Sequence, residues 1–304
     1  MTRVLVRRVF RLAIVVAGVS LVTFAILHAS GDPVALMMPE SPETERAALR
    51  RTLGLDDPIV VQFARFVADA ARGRFGDSLY HRESAMTLVL ARMPTTLTLT
   101  GLAMAVALAI SVPAGILSAL RRGSTADHAL TMLVFLGQSM PAFWTGIMLM
   151  LVFGVAWRVL PVSGWAGWSS VVLPVVTLGA FLAPVQLRIV RSSMLEVIAL
   201  DYVRTARAKG LPERAVIWRH ALRNASLPVV TVIGLQFGIG LGGAVITETV
   251  FAIPGVGRLI VAAIGQLDFP VVQAAVFLLA LIVVTVNFTV DLLYTWLNPV
   301  VRVR

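Results

Sequence analysis

"DYVRTARAKGLPERAVIWRHALRNASLP", Asp201–Pro228, is a charged interval inside a very apolar chain. It holds the single lysine, Lys209, and a glycine, Gly210, in the middle of a helical pattern. Uncharged stretches flank it, Val159–Leu187 before and Asn224–Thr247 after. A span of the hydrocarbon core needs about 20 successive apolar residues. Working outward, with His counted as neutral, four more uncharged stretches reach that length: Leu12–Gly31, Met93–Leu120, His128–Trp157 and Phe269–Val290. Gly164, Gly167, Trp168, Ser169 and Ser170 interrupt the start of Val159–Leu187, so its helix is expected near Val171. Backbone polar groups must be paired in lipid, so the pattern predicts an all-α integral membrane protein with six transmembrane helices.

Composition agrees. The 304 residues are 58% hydrophobic and 14% charged, with a mean hydropathy of +0.87, above the range of ordinary soluble domains. The net charge of +10 is mostly a topology signal. With the N-terminus inside, the inner segments hold 16 basic residues and the outer ones 10. The inner acids are Asp127, Glu196, Asp201 and Glu213. Cytoplasmic loops carry the Lys/Arg excess, so both termini are expected in the cytoplasm. A nucleic-acid surface would need a basic run on a soluble domain, and no such run exists. The N-terminus resembles a secretory signal in order, basic then apolar then small. Its apolar part is longer than a signal core, and Leu27 and His28 spoil the cleavage pattern, so a retained first span is expected. The absence of cysteine excludes disulfides and thiolate metal sites.

The one sizeable polar segment, Ser30–Arg92, is expected outside. "SPETERAALRRTLG" offers Ser41 as a cap, Pro42 at the first helical position and Gly54 as a stop. "DDPIVVQFARFVADAARG" repeats the scheme with Asp57, Pro58 and Gly73. Two short amphipathic helices follow, either as a plain extension or as a docking surface for an external partner. In the inner segment, Leu195, Ile198, Tyr202, Ala206 and the stem of Lys209 fall on one helical face. Gly210 ends that helix; Pro212 and Glu213 open another, carrying Val216, Ile217, His220 and Leu222. Composition alone favours a basic loop drawn to anionic lipid; the alternative is a lever seated in a cytoplasmic protein.

Catalytic signatures are missing. There is no Gly-x-x-x-x-Gly-Lys-Ser/Thr phosphate loop, no Gly-x-Ser-x-Gly and no His-Glu-x-x-His. His28 and His81 lie on the expected outer side, His128 and His220 on the inner, so they form no joint metal site. Gln138, Gln186, Gln236, Glu248, Asn287 and Asp291 are polar within or beside spans. Such groups face a bundle interior or a water-filled path. Gln138, Gln236, Glu248, Asn287 and Asp291 are the candidates for a translocation path or gate; helix–helix hydrogen bonding is the alternative for each. Pro113, Pro141, Pro174 and Pro184 permit kinks, and the glycine-rich "GLQFGIGLGGAVITE" permits close approach.

The opening stretch resembles the cytoplasmic loop of binding-protein-dependent ABC importer permeases. The superfamily signature, Glu-Ala-Ala, three residues and Gly, falls on Arg204, Thr205, Ala206 and Gly210, with the Glu and first Ala replaced. That departure is similar to the dipeptide/oligopeptide/nickel subfamily. "LGLDDPIVVQF", "FGDSL", "ARMPTTLTLT", "SMPAFWTGIML", "LPVSG", "VLPVVTLG", "RIVRSSMLEVI" and "ETVFAIPGVGRL" extend the likeness over nearly the whole chain. The resemblance implies a type I importer permease fold with an N-terminal segment and first helix in 1–29, a helical extracytoplasmic insertion in 30–93, and a five-helix core in 94–304 containing a coupling loop, 191–226. It implies that Asp201, Tyr202, Arg204, Thr205, Ala206, Arg207, Ala208, Lys209 and Gly210 form a coupling helix seated in a cleft of an ATPase. The implied partners are a second homologous permease, two cytoplasmic ATPase subunits or one fused pair, an extracytoplasmic solute receptor and membrane lipid. ATP and Mg would be bound by the partners, and this chain would hold no cofactor, metal or catalytic residue. Location in the inner membrane of a prokaryote and import of di- or oligopeptides are implied, with nickel, glutathione or a glycoside as alternative cargo. The rival from another class is a stand-alone secondary transporter with a basic lipid-facing loop.

Overall fold

The computed structural model describes residue 14, residues 17–25, residue 34, residues 41–78 and residues 80–297. Residues 17–25 are helical. Both ends of the expected Leu12–Gly31 span, the four N-terminal basic residues and the two tail arginines lie outside the described residues.

Two short helices follow, α1 (Glu43–Leu53) and α2 (Ile59–Ala70). Their starts differ from expectation. Pro42 and Pro58 themselves occupy the capping positions in extended conformation, with no side-chain cap. Asp57 instead pairs with Arg65 at 2.6 Å. Gly54 ends α1 at φ +65°, where its N–H reaches the carbonyls of the last turn.

Then come α3 (Ala85–Leu120), α4 (Thr125–Ser139) and α5 (Ala142–Leu149), which runs into a π-helical turn, Met150–Ala156. Next are α6 (Trp168–Ile198), α7 (Asp201–Ala208) and α8 (Glu213–Val250), the last with a π-helical turn at Val216–Ala221. The chain closes with α9 (Val256–Gly265) and α10 (Phe269–Leu297).

Among the described residues, four helices are long and apolar enough to cross a bilayer, α3, α6, α8 and the Phe269–Tyr294 part of α10. The 36 residues of α3 extend about 54 Å, well beyond the hydrocarbon thickness. The stretch His128–Trp157, expected as one span, is a pair of helices bent by 100°. Met140 is extended at φ −104°, ψ 139°. Pro141 excludes its predecessor from the helical region, and that breaks the span. Pro174 and Pro184 sit inside α6 without ending it. That helix starts at Trp168, ahead of the expected Val171, with Gly167 at φ +103° as its entry.

The chain divides into two compact units. The first comprises Met1–Pro94 and Arg258–Val284. A run of aromatic contacts orders it: Phe24 lies 5.3 Å from Phe63 and 5.9 Å from Phe66, Phe66 lies 6.2 Å from Phe75, and Phe75 lies 5.1 Å from Phe277. Each such pair contributes about 0.5–1.5 kcal/mol beyond burial. The helix α2 is 12 residues long, too short to persist alone in water, and this ladder fastens it to the helical residues 17–25 and to α10. Ser78 donates to buried Asp268, and Ala85 N–H bonds the Gly76 carbonyl at 3.1 Å, closing the turn that leads into α3.

The second unit comprises Thr95–Gly257 and Thr285–Arg304. Its main core joins α3, α4, α6 and α8 through Leu99, Val134, Leu178, Leu182, Leu187 and Ala244, with Phe251 and Ile253 beyond the end of α8. A second cluster, around Ile116, Val190, Met194, Ile217, Ala221 and Val229, packs the start of α8 against α3 and α6.

Candidate coupling segment and buried polar groups

The helix α7 begins where Leu200 turns extended at ψ 148°. The expected continuous face from Leu195 to Lys209 is therefore split at Ala199–Leu200 into two helices. The buried anchors of α7 are Val203, fully enclosed, and Ala206; they pack with Val216 and Val197. Tyr202, expected on the apolar face, is 38% exposed. Its hydroxyl accepts from Asn224 Nδ2 at 2.8 Å and lies 3.5 Å from the His220 carbonyl. The outer face presents Asp201, Arg204, Thr205, Ala208 and Lys209 to solvent.

Asp201 sits in the first turn and Arg207 in the last, the favourable order for the helix dipole. Arg207 donates Nε and Nη2 to the two Glu213 oxygens at 3.1 and 2.7 Å. These hydrogen bonds raise its pKa above the ordinary arginine value, so it stays charged at any physiological pH. Gly210 ends the segment at φ +74°, and a Cβ there would meet nothing within 4 Å. Its requirement is one of conformation, because the left-handed region is open to glycine and costly to other residues. A cleft of about 370 Å³ flanks the helix, lined by Tyr202, Thr205, Ala206, Lys209, Leu211 and His220. The second helix of the loop is no separate element: Glu213 starts an unbroken helix that becomes the span ending at Val250.

The five path candidates do not form one lining. Gln138 is exposed at the end of α4, beside the bend. Gln236 is buried and donates to the Leu182 carbonyl at 3.4 Å. Glu248 is fully buried; Thr96 donates to it at 2.6 Å and accepts from Val256 N–H at 2.8 Å. Cβ atoms at Gly255 or Gly257 would run into the Glu248 carboxylate. Glu248 therefore braces the turn of "FAIPGVG". Asn287 is half-buried against Gly234, and Asp291, one turn on, is exposed. Gln186 is buried and accepts from Ser111 at 3.2 Å. Among the described residues no three His, Asp or Glu gather as a metal site.

One constellation went unseen in the sequence. Asp127 takes Arg191 Nη2 at 2.8 Å and Nε at 3.1 Å, the Gly123 N–H at 3.0 Å and the Ser118 hydroxyl. It ties the adjoining ends of α3, α4 and α6. The available signal was "STAD", where the Ser124 side chain caps the Asp127 N–H. The long-range partner, Arg191, left no such trace.

The split helix and turn lie beside a bundle of apolar helices, and similarity to known proteins identifies the family. The model of the binding-protein-dependent transport system inner membrane component matches residues 111–303, and that of the N-terminal part of such membrane components matches residues 1–100. The chain belongs to that family. It is 42% identical to the dipeptide transport system permease protein DppB of Escherichia coli (strain K12), over 94% of both chains. It is 41% identical to the glutathione transport system permease protein GsiC of Salmonella paratyphi A, again over 94% of both. An inward-facing structure of the MetNI methionine ABC transporter superposes with a TM-score of 0.59 at 19% identity, covering 70% of this chain and 97% of that one. That likeness shows the fold. The protein is thus a multi-pass inner-membrane permease subunit of an ABC importer, working in a complex with an ATPase and a binding protein that hydrolyse ATP and deliver solute respectively.

Proposed function

We propose that this permease imports di- or oligopeptides, with both termini in the cytoplasm and α7 seated on an ATPase subunit as the coupling helix. The observation that carries the cargo reading is the 42% identity to a dipeptide permease over 94% of both chains. Glutathione, the cargo named for the GsiC relative, is itself a peptide, which favours the same chemistry over nickel or a glycoside. The basic excess of the inner segments supports the orientation. The exposed outer face of α7, Asp201, Arg204, Thr205, Ala208 and Lys209, supports the docking role.

In this reading a second homologous permease completes the path, and two ATPase subunits or one fused pair hold ATP and Mg. Residues 30–93 are the outer insertion and 191–226 the coupling loop. Closure of the motors shifts α7 as a rigid element, and the spans rock between outward and inward access. Gln138, Gln236, Glu248, Asn287 and Asp291 are the candidates for the path or gate. Gln236 and Glu248 are enclosed and hydrogen-bonded, which fits a closed gate or the alternative of helix–helix contact. The test is ligand discovery on the cognate receptor: mass spectrometry of bound solute should return short peptides. Recovery of a glycoside or nickel instead would overturn the cargo assignment.

A further inference from the structure

We infer that α7 and the first turns of α8 move as one body, joined by two side-chain ties in which Glu213 and Asn224 are positioning residues. The inference deepens the proposed coupling role and rests on it. The first tie runs from Tyr202, near the start of α7, to Asn224 at 2.8 Å. The second runs from Arg207, in its last turn, to Glu213 through two bonds of 3.1 and 2.7 Å. Between them Val203, Ala206 and Val216 form a buried cluster. An eight-residue helix is far below the length that is stable by itself, so these contacts set its position.

The other side of α7 is held differently. The chain leaves α6 at Ile198 and passes through Ala199 to an extended Leu200. Val197 touches the buried cluster. Among the described residues no side-chain hydrogen bond or ion pair joins α7 to α6. Hinges form at a few element-terminal residues that absorb dihedral change. A push on α7 is therefore passed first into α8, whose start carries it into α3 and α6 through the buried cluster of Ile116, Val190, Met194, Ile217 and Ala221, while Ala199–Leu200 lets α7 follow α8. A Cβ at Gly210 would meet nothing within 4 Å, so the turn has no packing on that side to carry a push without the two ties.

The test uses the assembled complex in proteoliposomes, reading receptor-stimulated ATP hydrolysis and solute taken up per ATP. Arg207→Glu and Glu213→Arg should each lower uptake per ATP by about two- to fivefold, the range an exposed ion pair supports. The double exchange should restore it, which a contact of Arg207 with the motor would not allow. Asn224→Leu and Tyr202→Phe should each lower it too. A Thr205→Cys variant, exposed on the outer face, reports docking by crosslinking to the motor subunit. Crosslinking with wild-type uptake in the single variants, or a double exchange no better than either single, overturns the clamp and leaves the coupling role standing. Absence of any crosslink removes the coupling role and the clamp with it.

Discussion

Asp127→Ala removes in one step the buried carboxylate that joins α3, α4 and α6. Its side chain is 6% exposed and that of Arg191 is 31% exposed. Four hydrogen bonds end on it, two from Arg191, one from Ser118 and one from Gly123 N–H. Breaking a buried pair by removing one partner costs about 3–5 kcal/mol, because the other charge is stranded. Water reaches a third of Arg191, so the lower end applies, about 3 kcal/mol. Arg191→Met strands Asp127, which keeps Ser118 and Gly123, and costs about as much. The double variant Asp127→Ala/Arg191→Met strands no charge, and the Ser118 hydroxyl can turn to its own helix. It should lie within about 1–2 kcal/mol of the parent. The cycle therefore predicts a coupling of about 3 kcal/mol or more. Equilibrium unfolding in mixed micelles with rising SDS fraction measures all four forms. Additive effects, or an Asp127→Ala variant within about 1 kcal/mol of the parent, would refute the picture of a shared, enclosed pair.

Three other outcomes follow. The chain lacks cysteine, so single cysteines at exposed Ser84 and Ser192 report topology; an impermeant thiol reagent on intact cells should label the first alone, and the reverse pattern contradicts the orientation. At Gly210, Asn enters the left-handed region more readily than Ala, so receptor-stimulated ATP hydrolysis should fall in the order parent, Gly210→Asn, Gly210→Ala, with equal losses contradicting the backbone argument. A Cβ at Gly257 would lie 2.5 Å from the Val245 Cα, whereas one at Gly242 meets nothing within 4 Å; Gly257→Ala should sharply lower the yield of assembled complex and Gly242→Ala should leave it unchanged, and similar yields would contradict the packing of that turn.

The sequence made the architecture legible because lipid permits so few solutions. Uncharged runs located α3, α6, α8 and α10, and the bent α4–α5 pair was marked by Pro141, although run length alone read it as a single span. Gly210 and Gly54 were legible as stops, since only a left-handed residue ends the segments there. Local pattern failed where side chains answered to distant partners. Asp57 reads as a cap and instead pairs with Arg65. Glu248 reads only as a polar group beside a span, and its partner Thr96 lies 152 residues away in sequence. Asp127 and Arg191 counted only as loop charges, being 64 residues apart in sequence. Tyr202 shows the same limit on a small scale, since periodicity placed it inward and Asn224 drew it to the surface.

The central claim is that this chain forms a solute path driven by ATP hydrolysis on other subunits. Its most direct test is uptake of labelled dipeptide into proteoliposomes holding the chain alone or the complete complex with loaded receptor. The account predicts uptake only by the complete complex and only with ATP, and no ATP hydrolysis by the purified chain. Uptake by the chain alone under an ion gradient, indifferent to ATP and to the motors, would contradict it.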